Sequence, residues 1–267
     1  MFRKLSVSPF KYRIHFFIIL SFLFATAAGA DVIHVAVASN FILPAQEIVR
    51  TFESETGHQI KLSSGSSGKL YAQIRQGAPF QVFLSADAQT PERLSKEGFA
   101  LSATQITYAI GKLVLWSADR DLIKNNDSVL KKNGFKKIAI ANPELAPYGK
   151  AAIETLTQLE VFQSVQSKIV WGENIAQTHQ FVMSGNAELG FISASQVMRE
   201  GKFDQGSGWV IPESMHNPIL QNAVLLSKAK DSVAAIALLD YLKSAKAKKI
   251  IEQFGYGVPN QTIKEHR

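Results

Sequence analysis

The chain has 267 residues, with 29 basic and 22 acidic side chains, no cysteine and a formal charge of +7. The first thirty positions contain no acidic residue and four basic ones: Arg3, Lys4, Lys11 and Arg13. Without these four, 25 basic side chains face 22 acidic ones, a charge of +3 on the 237 residues from position 31 onward. So small an excess gives no electrostatic case for nucleic-acid binding, which needs a dense basic surface.

The N-terminal segment has the layout of a secretory signal peptide. A cationic start is followed by an apolar run over positions 16–25 and by the small residues Ala28-Gly29-Ala30. This order predicts a signal peptide over residues 1–30, cleaved after Ala30. An uncleaved membrane anchor is the alternative, but the run is shorter than the roughly 20 apolar residues of a spanning helix. We expect a soluble, exported protein.

The absence of cysteine limits the compartments in which the protein can be expected. A lipid-anchored bacterial export protein needs a cysteine at its mature start, and this chain has none. A freely diffusing exported protein is retained only where an outer membrane encloses it, so a Gram-negative periplasm is the expected location. The same absence excludes disulfides, thiolate metal sites and a cysteine nucleophile.

Short β-rich runs alternate with helix-period segments, and this pattern predicts an α/β fold with mostly parallel strands. The predicted strands are 32–38, 60–63, 82–84, 112–116, 138–141, 169–171, 189–192 and 220–226. The predicted helices are one through 45–52 closed by Gly57, one through 70–74, one from Thr90 to Gly98, and 150–159, 175–183, 233–242 and 245–254. Thr90 is expected to cap its helix through its hydroxyl. A surface connection around a short helix is expected over 119–137.

Four predicted strand-to-helix junctions carry small, hydroxyl or phenol residues: 38–40, 63–68, 146–149 and 173–176. A helix start leaves backbone N–H groups unpaired and carries a partial positive charge, so it attracts anions. All four junctions follow strand carboxyl ends, where an open α/β sheet places its ligand crevice. Taken singly, Ser39 also fits an ordinary helix cap and 65–68 a flexible turn. Their joint occurrence favours an anion site.

At this point a family resemblance is visible. The chain from residue 31 onward resembles, from end to end, the periplasmic molybdate-binding proteins (ModA family) that feed an ABC transporter. The matching segments are VAVASN at 35–40, GSSGKL at 65–70, GAP at 77–79 with VFLSAD at 82–87, ANP at 141–143, APYG at 146–149, ENIAQ at 173–177 and ELGFI at 188–192.

The resemblance implies a two-lobed periplasmic-binding-protein fold of type II, in which each lobe is a mostly parallel sheet flanked by helices and the ligand lies in the cleft. The expected lobes are 31–111 plus 221–267, and 112–220, joined by strands crossing near 111–114 and 220–224. It further implies high-affinity binding of molybdate, with tungstate also expected, and delivery to permease and ATPase subunits. A monomer without enzymatic activity or cofactor is expected.

The resemblance also implies the site residues. Ser39 and Ser67 would each give a hydroxyl and a backbone N–H, and Tyr148 and Ile175 would give backbone N–H groups. Many relatives carry a tyrosine where this chain has Ser193, so either the Tyr148 phenol or Ser193 is expected to supply a further side-chain donor. Molybdate would be held as an oxyanion through Ser39, Ser67 and Ile175 in particular. The flanking positions are Ala38, Asn40, Ser66 and Ala176.

Neutral donors suffice for a buried dianion if enough of them point at it. About seven N–H and O–H donors would each contribute roughly 1.5–3 kcal/mol. A lining of donors alone also rejects protonated oxyanions, because an O–H on the ligand would meet no acceptor. This favours molybdate, tungstate or sulfate over phosphate, and cavity size decides among those three.

Two other functions remain open. A serine hydrolase is one, although the chain lacks a G-x-S-x-G elbow and has no histidine in the four loops. A binder that reports to a membrane sensor is the other. The six histidines form no metal-ligand spacing.

Four other residues carry smaller predictions. Lys69 and Lys150 are either anion-steering or ordinary surface side chains, and Trp171 is expected in the core. Gln81 stands where the family usually has aspartate.

Overall fold

The structure is a computed structural model that describes residues 31–124 and 126–259. The predicted signal peptide and its cleavage site lie outside the described residues, as do residues 260–267 of the predicted first lobe. Within the described part, no helix is both long and apolar enough to cross a membrane.

Strands and helices alternate along most of the chain. The strands are β1 (Val32–Ala38), β2 (Gln59–Gly65), β3 (Val82–Ser85), β4 (Ile106–Gly111), β5 (Leu113–Ser117), β6 (Ile138–Ala141), β7 (Ile169–Gly172), β8 (Leu189–Ser193), β9 (Met198–Arg199), β10 (Lys202–Phe203), β11 (Ser207–Val210) and β12 (Ile219–Leu225). The α-helices are α1 (Ile42–Thr56), α2 (Ser67–Arg75), α3 (Gln89–Lys96), α4 (Ser128–Lys132), α5 (Pro147–Gln158), α6 (Phe162–Val165), α7 (Ile175–Met183), α8 (Ala194–Val197), α9 (Val233–Leu242) and α10 (Ala245–Gln253).

Two five-stranded sheets share one design. The first has the order β2-β1-β3-β12-β4 and the second β11-β5-β8-β6-β7. In the first, β1 is parallel to β2 and β3, whereas β12 is antiparallel to β3 and β4. In the second, β6 is parallel to β7 and β8, whereas β5 is antiparallel to β8 and β11. Four strands of each sheet therefore run one way, and the strand that arrives from the other sheet runs against them.

Each sheet buries apolar side chains on both faces. Helices α1, α9 and α10 cover one face of the first sheet, and α2 and α3 cover the other. The second sheet packs against α4, α5 and α6 on one face and against α7 and α8 on the other. Coverage of both faces explains why the strands read as continuous apolar runs. The predicted two-lobed α/β fold, with mostly parallel sheets flanked by helices, is confirmed.

The chain passes between the sheets twice. On the outward passage β4 ends at Gly111 and β5 begins at Leu113, so Lys112 alone separates the two sheets. The return passage uses residues 211–218, after which Ile219 and Leu220 pair with β4 in the first sheet. The division into lobes at 111/112 and 220/221 stays a prediction, and these strand assignments are the observations that bear on it.

Local patterns located most elements but not all. Strand β4 was missed because only one residue separates it from β5, so the sequence suggested a single strand at 112–116. Helix α3 begins at Gln89, ahead of the predicted capping residue Thr90. Thr90 instead donates its backbone N–H to Asp87 Oδ1 at 2.6 Å. The prediction that Trp171 lies in the core was wrong, since β7 is an edge strand and leaves that side chain 48 % exposed.

Gln81 has a structural role next to the first sheet. Its side-chain Oε1 accepts the backbone N–H of His34 at 3.1 Å, and its own N–H donates to the His34 carbonyl at 2.8 Å. The side chain thus satisfies a backbone group of β1 just before the ladder between β1 and β3 begins. A carboxylate can accept the same bond, which accounts physically for amide or acid at this position.

Replacement of Gly149 should destabilise the fold. A Cβ there would overlap the carbonyl oxygen of Ala141 at the end of β6. We expect Gly149→Ala to lower the free energy of unfolding by about 1–3 kcal/mol, the usual cost of overpacking. The measurement is urea denaturation, with Gly134→Ala as the control because nothing lies within 4 Å of its added Cβ. Equal stability of the two variants would contradict the close contact between α5 and β6.

Candidate functional site

A small buried cavity of about 10 Å³ lies between the two sheets. Its volume is close to the smallest that can hold one solvent-sized group. Its lining comes from loops at strand carboxyl ends in both sheets and contains no charged side chain. The lining residues are Ala38, Ser39, Asn40, Gly65, Ser66, Ser67, Ala86, Ala146, Pro147, Tyr148 and Ile175.

The start of α2 leaves one backbone donor for the cavity. Lys69 N–H donates to the Ser66 hydroxyl at 3.3 Å, and Leu70 N–H donates to the Ser66 carbonyl at 3.0 Å. Gly68 N–H donates to the carbonyl of Leu145 at 3.0 Å. Among the described residues, the Ser67 N–H is then the first-turn donor without a partner.

The start of α5 repeats this arrangement. Pro147 occupies the first turn and has no N–H to satisfy. Gly149 N–H and Lys150 N–H both donate to the carbonyl of Ala146, at 2.9 and 3.2 Å. The Tyr148 N–H therefore has no partner within residues 31–124 and 126–259.

The start of α7 also leaves one backbone N–H without a partner. The Asn174 side chain accepts from Ala176 N–H at 3.0 Å and from Gln177 N–H at 3.1 Å. The backbone carbonyl of Asn174 accepts from Thr178 N–H. This cap leaves the Ile175 N–H as the remaining donor of the turn, with no partner in the described part of the chain. Three helices thus each bring one free N–H to the same cavity.

Two hydroxyls add to these N–H groups. Ser67 Oγ accepts from Ala86 N–H at 3.0 Å and from Ser85 Oγ at 3.2 Å, so its own proton remains free to be donated. Ser39 Oγ has no hydrogen-bond partner among the described residues and also lines the cavity. Ser39 and Ser67 are only 4 % and 1 % exposed. The site is therefore a shielded set of donors.

The structure brings most of the predicted site residues together, but not all of them. Ser39, Ser67, Tyr148 and Ile175 line the cavity, with the flanking positions Ala38, Asn40 and Ser66. Two predicted residues are absent from the lining. Ala176 is exposed and its N–H is taken by Asn174, and Ser193 is buried behind Tyr148.

The Tyr148 phenol belongs to a buried hydrogen-bond network. It accepts from Ser193 Oγ at 3.0 Å, and Ser193 Oγ lies 2.9 Å from Ser195 Oγ. Ser195 Oγ donates to the Asn40 carbonyl at 2.7 Å, as does the Tyr256 hydroxyl at 2.8 Å. The network therefore runs from the second sheet, through α8, to the loop that follows β1 in the first sheet.

The Asn40 side chain is held by the same network. Its Nδ2 donates to Gln221 Oε1 at 2.7 Å and to the Tyr256 hydroxyl at 2.9 Å. Burial raises the pKa of Tyr148 well above its ordinary value, and the nearby Tyr256 hydroxyl adds to the rise. Burial also raises the pKa of Tyr256. Both phenols therefore stay protonated, and both remain able to donate.

Sequence reasoning missed three members of this network: Ser195, Gln221 and Tyr256. The Asn40 partners Gln221 and Tyr256 are 181 and 216 residues away from it in the chain. No local pattern joins positions so far apart. The available signal was a glutamine inside the apolar strand β12, where it is fully buried and must be hydrogen-bonded.

A wider groove of about 590 Å³ adjoins the cavity and is lined from both sheets. It contains Asp87, whose pKa is raised by burial and lowered in part by the hydrogen bonds from Thr90. Lys150 also lines this groove. Lys69 forms an ion pair with Glu173 at 2.5 Å that links α2 to the loop before α7. Within the described residues, no three His, Cys, Asp or Glu side chains cluster as a metal site would require.

Comparison with known proteins agrees with this geometry. The family model of the bacterial extracellular solute-binding protein matches residues 33–257. The chain is 51 % identical to the molybdate-binding protein ModA of Azotobacter vinelandii over 236 residues, 88 % of this chain and 94 % of that one. It is 46 % identical to ModA of Rhodobacter capsulatus, covering 87 % and 90 % of the two chains. The solved periplasmic molybdate-binding protein of Azotobacter vinelandii superposes with a TM-score of 0.82 at 41 % identity, covering 85 % of this chain and all of that one.

Two lobes that enclose a small donor-lined cavity define a solute-binding protein. The Azotobacter and Rhodobacter relatives make the assignment narrower. The chain belongs to the bacterial extracellular solute-binding protein family and, within it, to the ModA family.

The Asn40 carbonyl should make its two donors energetically dependent on each other. Ser195→Ala and Tyr256→Phe each leave it one hydrogen bond, whereas the double variant leaves it none. Each single change should cost about 0.5–1.5 kcal/mol of unfolding free energy. Because the Tyr256 hydroxyl also lies 3.2 Å from Ser195 Oγ, the loss from the double change should differ from the sum by about 0.5 kcal/mol or more. Urea denaturation of the four proteins measures this, and strictly additive losses would contradict the network.

Proposed function

We propose that this protein binds molybdate with high affinity in the cavity between its lobes and delivers it to the permease and ATPase subunits of an ABC transporter. Tungstate, a tetrahedral dianion of similar size, is a second ligand. The names of the relatives that the chain matches at 51 % and 46 % identity support the choice of molybdate. The donor set of the cavity supports the choice of an oxyanion.

One observation carries this proposal. The helix starts at Ser67, Tyr148 and Ile175 each leave a single N–H free, and all three residues line one cavity. A buried N–H without a partner is costly, so three of them at one point indicate a ligand that accepts hydrogen bonds. The partial positive charges of the three helix starts add to its attraction for an anion.

The chemistry of the donors selects the charge state of the anion. The unpaired groups are N–H and O–H donors, so a fully deprotonated oxyanion is bound best. A protonated phosphate would place its own O–H against another donor and lose affinity. Each charge-assisted bond contributes roughly 1.5–3 kcal/mol, so five such donors offset a large part of the desolvation of a dianion.

Individual residues have distinct parts in this proposal. Ser39 and Ser67 donate hydroxyls, and Ser67, Tyr148 and Ile175 donate backbone N–H groups. The Tyr148 phenol and Ser193 act behind the cavity, where they hold the Tyr148 loop in place through their mutual hydrogen bond. Asn40 and Ser66 fix the loops on which the donors lie.

Entry of the anion requires movement of the lobes. Tyr148 and Ile175 are only 1 % and 3 % exposed, and the Ser39 and Ser67 loops close the cavity from the other side. The lobes are 31–111 with 221–267, and 112–220, and they separate about the passages at Lys112 and 211–218. Opening exposes the donors to water, and closure replaces that water by the anion.

The remaining properties follow from this role. The protein is exported by its N-terminal signal peptide, is cleaved near Ala30, and acts as a soluble monomer in the periplasm. It is a binding protein and not an enzyme. Its cargo is handed on chemically unchanged.

Calorimetry with four anions tests the function. Molybdate and tungstate should each bind with one-to-one stoichiometry and a Kd far below that of sulfate, and phosphate should bind weakest at neutral pH. The reason is that the donor lining rejects a protonated oxyanion and that the cavity discriminates by size. Strong heat with sulfate or phosphate and none with molybdate would contradict the proposed binding of molybdate.

A matched pair of serine variants tests the site. Ser67 and Ser193 are both 1 % exposed, but Ser67 lines the cavity and Ser193 does not. We expect Ser67→Ala to raise the Kd for molybdate by about 10- to 100-fold, since one charge-assisted bond is lost. Ser193→Ala should raise it less, because it acts through Tyr148. An equal or greater effect of Ser193→Ala would place its hydroxyl on the anion.

A further inference from the structure

Gly68 is the point at which the backbones of the two lobes meet beside the cavity. It is the second residue of α2, and its N–H donates to the carbonyl of Leu145 at 3.0 Å. Leu145 lies in the loop that leads into α5. The adjoining residues Ser67 and Ala146 line the anion cavity. This contact therefore joins two of the loops that carry the donors.

The contact leaves no room for a side chain on Gly68. A Cβ there would lie 3.1 Å from Leu145 Cα, 3.2 Å from its Cδ2 and 3.3 Å from its carbonyl oxygen. Two of these three atoms belong to the backbone, so they cannot move aside by a change of rotamer. The two loops would have to separate by a few tenths of an ångström to admit a methyl group.

The ion pair between Lys69 and Glu173, next to this contact, is too compliant to fix the distance between the two loops. Lys69 and Glu173 pair at 2.5 Å, but their side chains are 51 % and 45 % exposed. Exposed pairs between long side chains contribute little and adapt to small displacements. A backbone-to-backbone contact does not adapt in this way. The approach of Gly68 to Leu145 therefore sets how far the two loops can close.

We propose that Gly68 is a specificity-determining residue whose lack of a side chain sets the closed width of the cavity and hence the size of tetrahedral oxyanion that is bound. This inference rests on the proposed oxyanion binding. Hydrogen bonds of this kind require donor-to-acceptor distances of about 2.7–3.2 Å. A few tenths of an ångström of extra width therefore stretch the bonds to a small anion more than those to a large one.

The test compares Gly68→Ala with Gly134→Ala and the wild type. Gly134 has nothing within 4 Å of an added Cβ, so it controls for the substitution itself. Calorimetry at pH 8 uses molybdate and chromate, a smaller tetrahedral dianion. We expect Gly68→Ala to raise the molybdate Kd by about tenfold or more, as for one weakened charge-assisted bond. Its chromate Kd should rise by a larger factor.

Two results would overturn the inference while the proposed function stands. One is a molybdate Kd for Gly68→Ala equal to that of Gly134→Ala, when the wild type binds molybdate normally. The other is an equal loss for chromate and molybdate, which would remove the dependence on size. Failure of the wild type itself to bind molybdate refutes the proposed function and this inference with it.

A second measurement separates closure from folding. The proposed opening of the lobes would separate Gly68 from Leu145, and alanine is a better helix former than glycine. The melting temperature of ligand-free Gly68→Ala should therefore equal or exceed that of the wild type. A lower melting temperature would show that the contact already forms without an anion and would overturn the role in closure.

Discussion

The structure depends on one constraint, which is that a helix start must satisfy its first N–H groups. Around the cavity this requirement is met almost completely from inside the protein. Asn174, the Ser66 hydroxyl and the Ala146 carbonyl take the surplus donors, and Pro147 removes one by its chemistry. What remains is a single N–H per helix. A single ligand with acceptor atoms facing all three helix starts would satisfy these N–H groups together.

The two sheets bring these helix starts together. In each sheet the parallel strands end at the edge that faces the other lobe, so helices that follow them start there as well. The partial positive charges of three helix starts therefore meet at one cavity. No lysine or arginine lines the cavity. Binding without a fixed cation avoids a charged site that would be costly to bury when the ligand is absent.

Local sequence patterns predicted elements whose determinants are local. Strand β1 and helix α7 were predicted to the residue, because alternation and helical periodicity act over a few positions. The donor loops were also found, from their small residues and from the resemblance. The hydrogen bond between Asn40 and Tyr256 could not be found this way, since 216 residues separate the partners. Trp171 was misplaced because its exposure depends on β7 being the outermost strand, a property of the whole sheet.

The single residue between β4 and β5 has a mechanical consequence. Only Lys112 lies between the two hydrogen-bonded strands, so the outward passage is a short, stiff connection and not a flexible linker. A Cβ on Gly111 would overlap the Tyr148 phenol, so the ring packs directly against this connection. Bending at Lys112 would therefore displace Tyr148 in the first turn of α5 as well. The short connection between the sheets and the loop that carries one of the cavity's donors are thus in direct contact.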